Sequence, residues 1–260
     1  MAAEPQFCKT DRDGHLLIVT INRPEVLNAL HTEAHREIAG VFDRFARDPE
    51  LWCAILTGAG PRAFSTGNDL KAQAAGQRTV LPDTGFCGLT TRFDLNKPVI
   101  AAVNGLAFGG GFEAALACDI LIAEDHASFA LPEPLVGTAA TSGGVVRLMQ
   151  EVPRKQAMGI VLTGRRVDAQ EGKAMGFVTE VVPRGEGLEA ARHWAGRILA
   201  CAPLAVRATK AIAADVFRGQ SLADQLAHLP PEVGELRASA DYLEGPIAFR
   251  DKRPPRWAGR

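Results

Sequence analysis

Cysteine is sparse in this chain of 260 residues: Cys8, Cys53, Cys87, Cys118 and Cys201 are odd in number, widely spaced and never in a CxxC pair. That argues against a disulfide framework or a cysteine metal site and fits reduced thiols in a cytoplasmic protein. An excess of one charge is also lacking. Twenty-nine Lys and Arg against 30 Asp and Glu leave a net charge of −1, without the basic surplus of a broad nucleic-acid surface. No run suits a membrane span, because the most apolar stretch, Pro98 to Ala123, carries Asn104, Glu113, Asp119 and several glycines. The opening MAAEPQFCKTDRDG has charges where a signal peptide would have an apolar core. There is no P-loop and no GxSxG, and GAG at Gly58–Gly60 runs into Pro61 with no third glycine. HTEAH sets His31 and His35 one turn apart, but no third ligand is apparent. The expectation there is a solvated helix face and no metal.

What is present is an ordinary globular composition, 47% hydrophobic and 23% charged. HLLIVTINRP, CAILTGAG and PVIAAVNG are short apolar runs closed by turn residues, so they read as buried strands. LNALHTEAHREIAGVFDRFARD has helical spacing, with Leu30, Ala34, Ile38, Val41, Phe42 and Phe45 on one face. A short helix is expected from about Gly111 to Ala117, two short strands in DILIAEDHASFAL, then helices in GVVRLMQEV, RKQAMGIVLTG and DAQEGKAMG, and a late strand in FVTEVVP. From about Gly187 the chain reads as helical. Strands alternating with helices, succeeded by helices alone, predict a layered α/β fold. The expected division is a core with the active site over 1–195 and a helical region over 196–260.

Three segments carry candidate chemistry: AFSTGNDLK from Ala63, NGLAFGGGFEAALACD from Asn104, and ASFALPEPLVGTAATSGG from Ala127. In the second, a strand runs into three glycines and a helix start. Glycine lets another group approach the backbone, and free N–H groups at a helix start favour negative charge. Tight strand–helix packing would explain the same glycines. Glu113 reads either as a first-turn acid favoured by the helix dipole or, given the apolar AALAC after it, as a carboxylate facing a pocket. Glu133, between two prolines, reads either as an exposed loop acid or as its partner. Two carboxylates in apolar settings can hold one water and divide acid and base work.

Together these segments resemble the enoyl-CoA hydratase/isomerase family, the crotonases, whose patterns are FxAGxDLK, GxxxGGGxExAxxCD and FxxPExxxGxxPxxGG. The chain has FSTGNDLK, GLAFGGGFEAALACD and FALPEPLVGTAATSGG, and NRPEVLNAL near the start and EGPIAFRDKRPPRW near the end also match. It departs from the pattern with Ala140 in place of the proline of GxxPxxGG, with Thr141 beside it. The resemblance implies an α/β spiral of ββα units with a C-terminal helical region that builds homotrimers or homohexamers. It implies an oxyanion hole made by the backbone N–H groups of Asn68 and Gly110, and catalytic carboxylates at Glu113 and Glu133. Having both carboxylates favours hydration of a 2-enoyl-CoA over isomerisation. CoA, as part of the substrate, would be bound by Val26, Leu27 and Ala29, by Thr66, Asn68, Leu70 and Lys71, and by Phe249 and Lys252 of a neighbouring subunit. No further cofactor is implied. An isomerase of the same fold and a non-catalytic acyl-CoA binder are the alternatives. The stretch Ala72 to Arg92 is expected to wall the acyl group, and Phe86 and Asp83 are the candidates to face a quaternary ammonium there.

Overall fold

Apolar runs with no polar face make strands that must be covered on both sides. In the computed structural model, which describes residues 6–69, 79–216 and 221–260, such runs build the larger of two sheets. Its strands are β1 (Cys8–Asp13), β2 (Leu16–Ile21), β3 (Cys53–Gly58), β5 (Val99–Val103), β7 (Ile120–Glu124) and β10 (Glu180–Val182), side by side in that order. β1 pairs antiparallel with β2, and the other pairs are parallel. The smaller sheet runs β4 (Ala63–Ser65), β6 (Leu106–Phe108), β8 (Ser128–Ala130) and β9 (Val167–Asp168). β3 leads into β4, β5 into β6 and β7 into β8, so each turn of the chain lays one strand in each sheet. This is the α/β spiral that the motifs imply.

The pleat divides the apolar residues between two cores. Leu17, Val19 and Ile21 of β2 face the space between the sheets, with Ile38, Val41, Phe42 and Phe45 of helix α1 (Thr32–Arg47). Leu16, Ile18, Cys53, Ile55 and Ile100 face the other way. Burying one such Leu, Ile or Phe fully stabilises by about 1.5–3 kcal/mol.

Helical spacing in the sequence extends the first helix back to Leu27. The structure starts it at Thr32, because Leu27 and Asn28 have φ of 56° and 57°. Asn28 is buried, its Nδ2 donating to the carbonyls of Ala59 (3.0 Å) and Ala63 (2.7 Å) and its own carbonyl accepting from Ser65 Oγ (2.8 Å). These bonds compensate a left-handed conformation that asparagine tolerates better than most residues. HTEAH is not a solvated face either. His31 caps α1, its Nδ1 accepting from the Ala34 N–H, and His35 is fully buried.

The remaining described helices are α2 (Gly110–Leu116), α3 (Gly144–Glu151), α4 (Arg154–Thr163), α5 (Ala169–Met175), α6 (Gly187–Leu199), α7 (Pro203–Asp215), α8 (Leu222–Ala227), α9 (Pro231–Ala238) and α10 (Ala240–Arg250). α6 covers the outer face of the larger sheet through Ala191 and Ala195. Among the described residues no helix is long and apolar enough to cross a membrane, and all five cysteines are free.

Candidate active site

β4, β6 and β8 run parallel, with Ser65 opposite Ala107 and Phe108 opposite Ala130. The loops that leave these three strands therefore collect at one edge of the smaller sheet. After β4 comes Gly67–Asn68, after β6 Gly109–Gly110, and after β8 the loop to Glu133.

At this edge the backbone is left bare. Gly109 has φ 53° and ψ −128°, a region open to glycine, and its N–H donates to Ala130 O at 2.9 Å. Gly110 opens α2, and its N–H has no acceptor among the described residues. Gly67 (φ 88°) stands against it: a Cβ there would lie 3.0 Å from Gly110 N and 2.9 Å from Phe108 O. Beyond Gly67 the chain pairs with Leu30, whose N–H donates to Gly67 O (2.8 Å) and whose carbonyl accepts from Asp69 N–H (3.0 Å). In a parallel pairing of this kind the intervening N–H, that of Asn68, points away from the partner strand, and it too has no acceptor among the described residues. The Phe86 ring lies over Gly110 so closely that a Cβ at Gly110 would overlap it. Two neighbouring loops thus offer free backbone N–H groups beside an apolar cover, which suits an oxygen that gains negative charge.

Glu113 lies on the first turn of α2 and is 3% exposed. Its Oε1 accepts from the Gly144 N–H at 2.9 Å. Burial pushes the carboxyl up to about 7; the Gly144 N–H opposes this, Glu133 adds to it, and Ser142 N–H and Arg147 oppose it. Glu133 opens a short 3-10 turn, Glu133–Val136, and its Oε1 lies 3.1 Å from where a Gly109 Cβ would stand. Its Oε2 is buried with no hydrogen-bond partner among the described residues, and burial raises its pKa as well. The carboxylate pair read from the sequence is therefore assembled, half desolvated and held at the glycine turn.

The first loop meets the same edge. Val26 and Leu27 are half-buried and Ala29 is buried. Thr66 donates to Leu27 O from both its N–H (3.2 Å) and its Oγ1 (3.3 Å). Leu70, Lys71 and the acyl-wall positions 72–78 lie outside the described residues. Of the acyl-wall candidates, Phe86 is buried over Gly110 and Asp83 is exposed. Phe249, 87% exposed, and Lys252, at φ 50°, belong to the end of the C-terminal region. Sequence reasoning gave no role to Gly67, Gly144 or Arg147. The two glycines stand in the quoted motifs and could have been marked as points of close approach. Arg147, whose Nη2 donates to Thr90 O at 2.7 Å, carries no such signal.

The sequence family described as enoyl-CoA hydratase/isomerase matches residues 11–260. A carnitinyl-CoA dehydratase of Proteus mirabilis (strain HI4320) is 45% identical over 259 residues, covering 95% of this chain and 96% of that protein. The crystal structure of an enoyl-CoA hydratase from Mycobacterium tuberculosis H37Rv superposes with a TM-score of 0.92 at 38% identity, over 99% of this chain and all of that one. A carnitinyl-CoA hydratase structure from Mycobacterium avium gives a TM-score of 0.77, also at 38% identity, over 98% of this chain and 99% of the other.

Proposed function

The chain belongs to the enoyl-CoA hydratase/isomerase family, and we propose on that footing that it is a hydro-lyase adding water reversibly across the α,β double bond of a 2-enoyl-CoA thioester. The observation that carries this reading is the meeting of a buried and a half-buried carboxyl group with two free backbone N–H groups at one edge of the smaller sheet. In the hydration direction water attacks Cβ, and the electron pair of the double bond moves toward the thioester oxygen. The N–H groups of Gly110 and Asn68 receive that charge. Glu113 takes the proton from the attacking water, and Glu133 delivers a proton to Cα. Burial raises both carboxyls, and Glu133 further raises Glu113. Like charges resist ionising together, and adding H and OH asks one carboxyl of the pair to accept a proton and the other to give one. The thioester itself acidifies Cα, so this reaction calls for no metal or redox group.

Val26, Leu27, Ala29 and Thr66 form the joined loops proposed to receive CoA, with Leu70 and Lys71 beyond them. Phe249 and Lys252 would reach the CoA of a neighbouring subunit in a homotrimer or homohexamer built by residues 196–260, with 1–195 as its core. Exposed Tyr242, Leu243 and Phe249 on α10 support that assembly. Five free thiols support a reducing, cytoplasmic setting.

For the acyl group we propose crotonobetainyl-CoA, hydrated to carnitinyl-CoA, because relatives named for carnitinyl-CoA resemble the chain over nearly its whole length. Phe86 and Asp83 are what the neighbouring loop offers a trimethylammonium group. The test is turnover of crotonobetainyl-CoA beside crotonyl-CoA and a 3-enoyl-CoA. Equal or better turnover of crotonyl-CoA rules out specialisation. Double-bond migration without hydration makes the protein an isomerase. Binding of acetoacetyl-CoA with no turnover of any ester makes it a binding protein.

A further inference from the structure

His35 is fully buried on α1 and takes no part in the chemistry above. Its Nδ1 accepts from the Cys87 N–H at 3.2 Å, so in the neutral ring the proton is on Nε2. The ring packs edge-on against Phe86, with centroids 4.4 Å apart and planes at 72°. Cys87 has φ 54°, a conformation that non-glycine residues rarely hold without support. Phe86 is fixed at its own N–H by Thr90 Oγ1 (2.8 Å), and Gly88 sits so close to α1 that a Cβ there would stand 2.9 Å from the Ala39 Cβ. The turn that carries Phe86 is thus clamped to α1, and His35 is the polar part of the clamp. On its other edge, Nε2 is buried with no acceptor among the described residues. Burial lowers His35 to about 4, with Asn68 opposing the shift. A leucine could fill the site without leaving a polar atom of its own unpaired. What imidazole adds is an acceptor for the Cys87 N–H.

We infer that His35 is a positioning residue for the oxyanion hole, acting through the turn it clamps, whose Phe86 ring covers Gly110, one of the two N–H donors. This role rests on the hydratase reading of the site. The ring stays neutral across the working range, so it acts by shape and hydrogen bonding and transfers no proton to substrate. By holding the Phe86 ring in place it fixes the apolar cover against which the Gly110 N–H is presented. A small misplacement of such donors weakens them at the transition state more than in the ground state.

Two variants test it. His35→Leu removes both nitrogens, while His35→Asn keeps an acceptor where Nδ1 stands. Kinetics are read beside the infrared carbonyl stretch of bound crotonyl-CoA, which reports polarisation of the thioester by the two N–H groups. Losing one oxyanion donor outright costs about 10²–10³ in turnover, so misplacing it should lower kcat for His35→Leu by about 10- to 100-fold, with KM changed less than about threefold. The carbonyl stretch should move back toward its value in water, and His35→Asn should recover part of both losses. If His35→Leu keeps kcat within about twofold and the same stretch, the inference is overturned. It is equally overturned if kcat falls while the stretch stays put, for then the loss is one of general packing. Should His35→Leu fail to fold, His35→Met, which also removes both nitrogens, decides: an altered stretch in a folded protein supports the role, and an unaltered one removes it. Glu113→Gln runs alongside. If it hydrates as well as the unaltered protein, the hydratase reading fails, while the infrared comparison still judges His35.

Discussion

Replacing Glu113 with Gln should make the protein slower and more stable at once. Burial holds this carboxyl at about 7 against an ordinary value of 4.5. Each pKa unit is worth about 1.4 kcal/mol, so keeping the group ionised in the fold costs about 3 kcal/mol. The sign is set by where the protons sit. At low pH the carboxyl is protonated both folded and unfolded, and nothing is lost. As pH rises from 4.5 toward 7 the unfolded chain gives up its proton first, so stability declines, and above about 7 the penalty is complete. Glutamine never ionises, and its amide oxygen can still accept the Gly144 N–H that now reaches Oε1 at 2.9 Å. The neutral bond is weaker than the charged one, which returns part of the gain. The variant should therefore gain about 1–3 kcal/mol over the unaltered protein between about pH 5 and pH 8. For a chain of this size that is a rise in Tm of several degrees, about 2–4 °C per kcal/mol. Hydration should fall by about 10²- to 10⁴-fold. Urea unfolding and crotonyl-CoA turnover, both measured across that pH range, check the two halves together. A stability difference that does not change with pH would show that Glu113 is not a carboxylate held against burial. Near-full turnover would show that it is not the base.

Asn68→Ala keeps the backbone N–H and should retain turnover within about tenfold, whereas Asn68→Pro deletes the donor and should lose about 10²–10³, with circular dichroism checking the loop; equal losses in steady-state assays would place the chemistry on the amide side chain. Gly110→Val drives a branched side chain into the buried Phe86 ring, so turnover and binding of acetoacetyl-CoA by calorimetry should disappear together, and full binding would refute so close a cover. In light scattering the protein should run as a trimer or hexamer, and a fully active monomer at micromolar concentration would remove Phe249 and Lys252 from the CoA site.

The strands of the larger sheet were legible because covering them on both faces demands unbroken apolar runs, as in CAILTG and VIAAV. The helix of DAQEGKAMG was legible from its ends: Asp168 caps the first turn through the Glu171 N–H, and Gly176 closes the last at φ 102°. β1 was not. CKTDRD has one buried residue and then exposed ones, and it becomes a strand because β2 offers it a full antiparallel register. In the smaller sheet β8 was legible as the second short strand of DILIAEDHASFAL, whereas β4 and β6 are too short to show any period, and the left-handed Leu27–Asn28 pair hides within helical spacing.

The site shows the same division. Its parts could be named one by one, because a glycine run before a lone glutamate, or a glutamate between prolines, is locally odd. Their convergence could not be read from spacing, since it depends on the register of β4 on β6 and of β6 on β8. That register sets the ends of three strands level, so one or two groups per turn of the spiral are enough to build the centre: a bare N–H after the first strand, a bare N–H and a carboxyl after the second, a carboxyl after the third. The second tier is harder still to foresee. Gly144 matters only because its N–H meets Glu113, and His35, which reads as a surface residue in HTEAH, faces inward because α1 turns it toward Phe86. Such residues act through others. The sequence marks where the chemistry is, while packing between elements far apart in the chain decides how finely it is held.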